Sequence, residues 1–236
     1  MKNLNVIFVH GWLFDSKIWW GLDNEFTDFK SVYTIDLPGY GKNKTSKINH
    51  VDFSKNLLRS IKERTIIIAW SYGASLILEA YHSLINPNIQ IVLINANLKI
   101  YDSSNKELNI NNINKLIINL EKDRSKAIKR FMYECVKNSI KPMDEFKKII
   151  NKFEINNLPD NKTLIQNLND MKLFLSSEHT SLKNDNILCI NTDKDQFVDK
   201  RDNVYLEATI KDLGHIPFIH GNKQIFKLIM DFRVKK

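Results

Sequence analysis

The fold of this sequence is decided by the stretch IIIAWSYGAS, residues Ile66–Ser75. Its apolar beginning is typical of a strand buried on both faces of a sheet, and a helix is predicted to begin directly after Ser71. The residues two positions before and after the serine, Ala69 and Gly73, are small, as a tight turn requires when neighbouring backbones pass close to it. A strand–turn–helix of this kind holds a serine hydroxyl clear of the backbone at the carboxyl edge of a sheet, where it can act as a nucleophile.

The predicted helix also gives Ser71 a favourable electrostatic environment. A helix N-terminus offers N–H groups and the positive end of the helix dipole, so a developing oxyanion would be stabilised there, in part by the backbone N–H of Tyr72. The alternative is that Ser71 merely caps the helix that follows the strand, which is a common role for serine. The turn also departs from the usual G-x-S-x-G pattern, because Ala69 stands where glycine is usual. This stretch alone therefore leaves both interpretations open.

A serine nucleophile needs a base within hydrogen-bond reach and a third group that orients the base. The predicted base is His215, in the loop before the last helix, and His220 is its rival. The predicted third group is Asp195, which follows a predicted strand, and Asp193 is its rival. The chain order Ser, Asp, His differs from the orders in chymotrypsin-like and subtilisin-like proteases. Three other histidines are assigned to surface helices or linkers: His50, His82 and His179.

The loop after the first predicted strand supplies a second candidate donor for an oxyanion. The strand ends in His10-Gly11-Trp12, and the backbone N–H of Trp12 is expected to be that donor. His10 is interpreted as structural, because in this arrangement the backbone makes the contact. Asp36, in the Pro/Gly turn after the second strand, is interpreted as a residue that organises the turn.

Strand-like and helical stretches alternate along the chain. Six short apolar runs are predicted strands: Asn5–Val9, Val32–Asp36, Thr65–Ala69, Ile89–Ile94, Asn186–Ile190 and Tyr205–Ile210. Three further stretches are predicted helices: Phe53–Ile61, Ser75–Leu84 and Lys223–Phe232. This alternation predicts an α/β fold with a mostly parallel central sheet flanked by helices.

The alternation stops between residues 98 and 183, where no strand is predicted. Helices are predicted there at three places: Ile113–Leu120, Ser125–Lys137 and Met143–Phe153. The sheet pattern resumes at Asn186. Residues 98–183 are therefore interpreted as an inserted helical cap on a core that is formed by residues 1–97 and 184–236.

The chain carries a net charge of +8, and most of the excess lies in the predicted cap. Residues 99–152 hold 13 Lys and Arg against 7 Asp and Glu, a net charge of +6, which leaves +2 for the rest of the chain. A uniform codon bias toward lysine would not concentrate charge in this way, although a solvated helix face is the simpler interpretation of any single residue. No interleaving of basic and aromatic residues supports a nucleic-acid partner.

Composition disfavours several other classes of protein. No apolar run approaches the roughly 18 residues that a membrane span needs, and the apolar run near the N-terminus is too short for a signal peptide. The protein is therefore expected to be cytoplasmic, without a membrane partner, and it is taken to be a monomer. Cys135 and Cys189 are far apart and are expected to be reduced structural thiols. His215 and His220 have no evident third ligand, so no metal site is expected.

These motifs together resemble those of α/β-hydrolases. The motifs are HGW at residues 10–12, DLPGYG at residues 36–41, WSYG at residues 70–73 and GHIPFI at residues 214–219. Within that superfamily the chain looks most like the pimeloyl-[acyl-carrier protein] methyl ester esterases of biotin synthesis, chiefly because Trp12 follows His-Gly and Trp70 precedes the serine. The resemblance covers residues 5–97 and 186–233, and it is faint in the cap.

The resemblance implies an α/β-hydrolase fold and a carboxylesterase that cleaves a methyl ester from an acyl chain carried on acyl-carrier protein, without a cofactor. Ser71, Asp195 and His215 would be its triad, and the amides of Trp12 and Tyr72 its oxyanion donors. In that family, basic cap residues bind the acidic carrier protein. The candidates here lie on one predicted helical stretch: Lys122, Arg124, Lys126, Lys129 and Arg130. The alternatives are a general small-ester or thioester hydrolase on the same site and a non-catalytic module that keeps the pocket.

Overall fold

The computed structural model of the protein describes residues 2–84, 86–96, 103–176, 185–198 and 206–234. Its strands are β1 (Asn5–Val9), β2 (Ser31–Ile35), β3 (Thr65–Trp70), β4 (Ile89–Ile94), β5 (Ile187–Thr192) and β6 (Leu206–Ile210). Within the described ranges these six form one sheet in the order β2-β1-β3-β4-β5-β6, with every neighbouring pair parallel. The six predicted strands are therefore confirmed to within two residues at their ends, apart from Tyr205, which lies outside the described residues.

The strand order brings the candidate catalytic loops to one edge of the sheet. β3 lies between β1 and β4, and Ser71 directly follows its last residue. Because all the strands are parallel, the loops that follow them leave from the same carboxyl edge. Every residue of β3 and β5 is buried, whereas β2 and β6 are edge strands with several exposed residues. Each of these two strands has a neighbour on one side only.

Among the described residues, three α-helices belong to the core: α1 (His50–Ser60), α2 (Tyr72–His82) and α7 (Asn222–Val234). Four more lie between β4 and β5: α3 (Ser103–Lys122), α4 (Arg124–Glu134), α5 (Pro142–Lys152) and α6 (Asn161–Ser176). The predicted α/β fold with an inserted helical cap is thus confirmed, although the proposed ends of the cap, residues 98 and 183, lie outside the described residues. In the described part of the chain, no helix combines the length and the apolar character needed to cross a membrane.

Helix α6 is absent from the sequence prediction. Its sequence contains three asparagines, Asn161, Asn167 and Asn169, and asparagine is a poor helix former. Its apolar residues Leu164 and Leu168 are nevertheless buried, and the helix packs on α3 and α2. Tertiary packing therefore makes this segment helical where its local propensity does not.

The end of β1 is held tightly against the start of α2. A Cβ atom built on Gly73 would lie 2.2 Å from the carbonyl oxygen of His10, so a side chain at this position does not fit. His10 itself is fully buried. Its Nδ1 lies 2.8 Å from the carbonyl oxygen of Gly11, and its Nε2 accepts the backbone N–H of Leu37 at 3.0 Å. The imidazole therefore joins the end of β1 to the turn after β2.

Burial keeps His10 neutral. Because a carbonyl oxygen only accepts and an amide N–H only donates, Nδ1 carries the proton and Nε2 does not. Desolvation lowers the pKa of His10 from 6.5 to about 4, and the hydrogen bond to Gly11 opposes this shift only in part. Protonation of Nε2 would also remove the acceptor that Leu37 needs.

We predict that the free energy of unfolding falls as the pH drops from 6.5 toward 4, in part because of His10. In that interval the unfolded chain binds a proton at this residue and the folded chain does not, so acid destabilises the fold by up to about 3 kcal/mol through this group. Urea unfolding between pH 7 and pH 4 measures the effect in the wild type and in His10→Gln, whose amide keeps a donor and an acceptor but does not titrate. Equal pH sensitivity of the two proteins would contradict this assignment.

Candidate active site

Ser71 lies in a strained turn between β3 and α2. Its φ is 52° and its ψ is −120°, in a backbone region that residues other than glycine rarely adopt. Its N–H donates to the carbonyl of Ile94 at 3.0 Å, which ties the turn to the end of β4. Ser71 occupies the N-cap position of α2, but its hydroxyl makes no capping hydrogen bond. The interpretation of Ser71 as a simple helix cap is therefore wrong.

The hydroxyl of Ser71 lies against His215 instead. Its Oγ is 2.9 Å from His215 Nε2, and His215 Nδ1 is 2.7 Å from Oδ2 of Asp195. A carboxylate only accepts, so Nδ1 carries the proton and Nε2 can accept one from the serine. The other oxygen of Asp195 accepts the N–H of Phe197 at 2.7 Å, which fixes the carboxylate. The structure thus brings the three predicted residues into one hydrogen-bonded chain.

The two rival residues lie elsewhere. Asp193 accepts a backbone N–H from the turn that follows β6, at 2.5 Å. His220 faces two carboxylates of α5, those of Asp144 at 3.5 Å and Glu145 at 3.7 Å. Asp195 and His215 are therefore the two candidates that lie in the hydrogen-bonded chain at the serine. Their rivals, Asp193 and His220, have other partners.

The loop that carries His215 is fixed from the core by Trp70 and Asn95. The indole N–H of Trp70 donates to the His215 carbonyl at 2.8 Å. The side-chain amide of Asn95 donates to the same carbonyl at 3.1 Å, and its oxygen accepts the N–H of Thr192 at 3.0 Å. Asn95 therefore joins the ends of β4 and β5 to the histidine loop. Asn95 is not among the site residues predicted from the sequence, although a polar residue directly after a buried strand, at the edge where Ser71 lies, is a usable signal.

The same loop is fixed from the cap by the end of α4. The backbone N–H of His215 donates to the carbonyl of Cys135 at 2.9 Å. A Cβ atom on Gly214 would lie 2.8 Å from that carbonyl oxygen, so glycine permits this close approach. Gln196, next to the triad aspartate, donates to the carbonyl of Glu134 at 2.7 Å. The cap therefore contacts both the histidine loop and the aspartate loop.

Aromatic rings surround the imidazole of His215. Phe197 packs edge-on against it with 4.9 Å between ring centroids, and Trp70 lies at 5.3 Å. Phe131 of α4 contacts Phe197 at 5.5 Å and Trp12 at 4.7 Å. Phe131 and Phe197 are only partly buried, so the rings leave an apolar surface beside the histidine. Such a surface suits an apolar ligand.

The two predicted oxyanion donors lie next to the serine. A Cβ atom on Gly11 would be 3.1 Å from Cβ of Ser71, so the loop that contains Trp12 packs directly on the turn. Within the described ranges, the Trp12 backbone N–H donates to no backbone carbonyl. Tyr72 is the first residue of α2, at the helix end that attracts negative charge. Both amides are therefore placed where a negatively charged oxygen bonded to Ser71 could be held.

The basic candidates of the cap lie on two helices. Lys122 is the last residue of α3, and Asp123 caps α4 by accepting the N–H of Lys126 at 3.0 Å. Arg124 turns inward. Its guanidinium donates to three backbone carbonyls, those of Ile155 at 3.0 Å, Leu158 at 3.4 Å and Pro159 at 2.6 Å. The prediction of one helical stretch is therefore wrong, and Arg124 holds the cap together through these bonds.

Three of the candidates stay at the surface of α4. Lys126, Lys129 and Arg130 are exposed and line one shallow concavity. Arg130 lies 4.0 Å from the carboxylate of Glu134 with its side chain 73% exposed, a pair that contributes little to stability. Their charges are thus available to an external anion.

His50 is buried at the start of α1, so its assignment to the surface is wrong. Its Nε2 lies 2.7 Å from the Pro38 carbonyl, and its Nδ1 lies 3.1 Å from the Tyr72 hydroxyl. Desolvation lowers the pKa of His50. The first turn of α1 has a polar sequence, and nothing in that sequence indicates that His50 faces inward. His179 lies outside the described residues.

No group of three His, Cys, Asp or Glu side chains is arranged to hold a metal ion in the part of the chain that the structure describes. Cys135 and Cys189 are free and buried. Desolvation raises the pKa of both thiols, that of Cys189 to about 12. Both cysteines are therefore inert as nucleophiles in this environment.

We predict that Asn95→Ala lowers the free energy of unfolding by about 2–4 kcal/mol, because it leaves the N–H of Thr192 and the His215 carbonyl with fewer partners in a dry interior. Urea unfolding at neutral pH measures the change. Asn151→Ala, on the exposed face of α5, is the matched control and should alter stability by no more than about 0.5 kcal/mol. Similar losses in the two variants would show that the Asn95 network does not stabilise the histidine loop.

Known proteins share this sequence pattern and this architecture. A relative from Wigglesworthia glossinidia brevipalpis, named pimeloyl-[acyl-carrier protein] methyl ester esterase, is 26% identical over 183 residues, which cover 72% of this chain and 66% of that protein. The match thus spans just under two thirds of the length of that relative. Among solved structures, a hydrolase from Oleispira antarctica has a TM-score of 0.73 at 16% identity, over 97% of this chain and 90% of that one. A bromoperoxidase from Bacillus anthracis has a TM-score of 0.73 at 14% identity, over 99% of this chain and 92% of that one.

The family is shown by a match to a family model over more than half of the chain. Residues 6–133 match the alpha/beta hydrolase family, and they contain the loop after β1, the serine turn and the start of the cap. The two solved structures share the fold although their names give different activities, so the fold does not decide the substrate. As the resemblance of its motifs indicates, the chain belongs to the alpha/beta hydrolase family.

Proposed function

We propose that the protein is a serine carboxylesterase. The observation that carries the proposal is the hydrogen-bonded chain from Ser71 to His215 to Asp195, with contacts of 2.9 and 2.7 Å. A serine hydroxyl is a weak nucleophile until an adjacent base can take its proton, and a base works best when a third group fixes its tautomer. The strained backbone at Ser71 also supports the proposal, since backbone strain of this kind is concentrated at functional sites.

In the first half of the reaction, Oγ of Ser71 attacks the ester carbonyl carbon while its proton passes to Nε2 of His215. The carboxylate of Asp195 stabilises the imidazolium that forms. The carbonyl oxygen becomes an oxyanion, which the amides of Trp12 and Tyr72 hold. When the carbonyl re-forms, the bond to the leaving alcohol breaks, and His215 gives that alcohol its proton. An acyl group then remains on the serine oxygen.

The second half of the reaction repeats these steps with water. His215 Nε2 takes a proton from a water molecule as its oxygen attacks the acyl carbon. The same two amides hold the second oxyanion. Collapse of this intermediate releases the carboxylic acid and returns the proton from His215 to Ser71. All proton transfers in the scheme therefore pass through one imidazole, and no cofactor takes part.

For the substrate, we propose the methyl ester of a pimeloyl chain carried on acyl-carrier protein. The support is the name of the Wigglesworthia relative and the charge of the cap. Lys126, Lys129 and Arg130 are exposed together on α4, where they could receive an acidic carrier protein. Lys122 is also exposed, at the end of α3, whereas Arg124 is occupied by its internal bonds. The apolar rings beside His215 suit the acyl chain.

The alternative is a general small-ester or thioester hydrolase. It uses the same triad and the same apolar surface, and it needs no carrier protein. The two proposals differ in whether the basic surface of α4 contributes to catalytic efficiency and in the range of acyl chains that is accepted.

We predict that Ser71→Ala abolishes ester hydrolysis and labelling by a fluorophosphonate probe. Asp195→Asn should lower kcat by about 10³- to 10⁴-fold, because the amide no longer holds the active tautomer of the His215 imidazole. The matched control is Asp193→Asn, which removes a carboxylate two residues away that accepts a backbone N–H and pairs with Lys194 at 3.7 Å. It should retain activity within a few fold. Hydrolysis of p-nitrophenyl acetate measures all three. Full activity of Ser71→Ala would refute the mechanism, whereas a wild type that hydrolyses no ester and does not react with the probe would favour a binding module that keeps the pocket.

We predict that charge reversal of Lys126, Lys129 and Arg130 to Glu raises KM for the carrier-bound pimeloyl methyl ester by about tenfold or more and leaves hydrolysis of the free methyl ester unchanged, since acidic surfaces repel each other. Steady-state kinetics with both substrates measure this. Reversal of three exposed cations on the core, Lys44, Lys47 and Arg59, is the control.

Growth provides an independent test of the same substrate. Wild-type protein should restore growth without biotin to a bacterium that lacks its pimeloyl methyl esterase, and Ser71→Ala should not. Efficient hydrolysis of small esters over a broad range of chain lengths, with no preference for the carrier-bound ester and no rescue, would favour the general hydrolase.

A further inference from the structure

The side chain of Trp12 is bound to cap helix α6. Its indole Nε1 donates to the carbonyl of Leu164 at 3.0 Å, and only 2% of the residue is exposed. Its ring packs edge-on against Phe131 of α4 at 4.7 Å. The side chain of this oxyanion-loop residue therefore contacts two helices of the cap, although its backbone belongs to the core.

The side chain of Tyr72 reaches the same helix. Its hydroxyl lies 3.4 Å from Oδ2 of Asp170 on α6 and 3.1 Å from Nδ1 of His50. The amide nitrogen of Asn167, also on α6, lies 3.4 Å from the same His50 nitrogen. Tyr40 completes the group by donating its hydroxyl proton to Asn167 Oδ1 at 2.7 Å. These contacts form a buried polar network between α6 and the start of α2.

The three residues of α6 that make these contacts share one face of the helix. Leu164, Asn167 and Asp170 are spaced by three, so they follow one another along the helix surface. Close packing accompanies the hydrogen bonds, because a Cβ atom on Gly39 would lie 2.8 Å from the Thr163 side chain. One side of a single cap helix thus binds the side chains of both residues whose amides flank Ser71.

We infer that α6 is a positioning element for the oxyanion site, and that it sets the geometry of the Trp12 and Tyr72 amides through their own side chains. The inference rests on the proposed esterase function. An oxyanion donor works only when its N–H lies about 2.7–3.1 Å from the charged oxygen, so a small displacement of either residue weakens it. Trp12 lies in a loop with no strand or helix of its own, and its indole bond to α6 adds a restraint from the cap to the packing of that loop on the core.

The first test is Trp12→Phe, which keeps an aromatic ring and the backbone N–H but removes the bond to Leu164. The value of kcat for p-nitrophenyl acetate should fall by about 10- to 100-fold, with KM within about twofold of the wild type, because the amide shifts while the acyl site is retained. Affinity for a boronic acid that forms an oxyanion on the serine should fall by a similar factor. The pH midpoint of kcat/KM should not move, since His215 and Asp195 are unchanged.

The chain offers a matched control at Trp19. This residue is fully buried, and its indole N–H has no hydrogen-bond partner among the described residues. Trp19→Phe therefore makes the same substitution in a similar apolar environment without the loss of a hydrogen bond. It should leave kcat, KM and boronic acid affinity unchanged.

A second variant covers the case in which Trp12→Phe does not fold. Tyr72→Phe removes one hydroxyl from the network and should lower kcat by about three- to tenfold, again with little change in KM. Folded Trp12→Phe or Tyr72→Phe with the kcat and boronic acid affinity of Trp19→Phe would overturn the inference. A wild type that hydrolyses no ester would overturn the proposed function instead, so the two failures are distinct.

Discussion

The contact between the end of β1 and the start of α2 is the constraint on which the active site depends. Gly73 lies so close to the carbonyl of His10 that it has no room for a side chain. The turn that makes this contact leaves Ser71 in a left-handed conformation, which costs about 1–3 kcal/mol. The fold tolerates this conformational cost because the buried strand β3 lies between β1 and β4, and because neutral His10 fixes the end of β1. The direction of the serine hydroxyl is therefore a property of the central sheet.

The base of the triad depends on a different set of contacts, shared between the core and the cap. His215 lies in a loop, and its carbonyl is held by the side chains of Trp70 and Asn95. Its N–H is held by the carbonyl of Cys135 at the end of α4. The nucleophile is thus fixed by the sheet and the start of α2, whereas the base is fixed by sheet and insertion together. A change that moves α4 moves the base relative to the nucleophile, even when no residue of the triad is touched.

The sequence predicts what depends on local pattern. The strands are recognisable because interior parallel strands are continuous apolar runs, and the triad because the small residues around Ser71 mark its turn. The features it misses depend on tertiary contacts. Helix α6 is rich in asparagine and becomes helical by packing, and His50 faces inward from a polar turn. Arg124 looks like any other cation of its helix, yet three carbonyls brought from a distant segment of the cap bind it.

Helix α4 sets a distance between its exposed cations and His215, and this distance bears on only one of the two proposed substrate classes. Its exposed cations lie in the first two turns, and its last residue is followed by Cys135, which contacts His215. A helix of these 11 residues is about 16 Å long at 1.5 Å per residue. An acyl group carried by a protein bound at the cations must therefore reach along the helix to Ser71, whereas a free ester need not. Charge reversal in the first two turns of α4 consequently changes the capture of a carried substrate, while the imidazole beyond the end of the helix stays in place. For this reason the comparison of carried and free esters distinguishes the two functions.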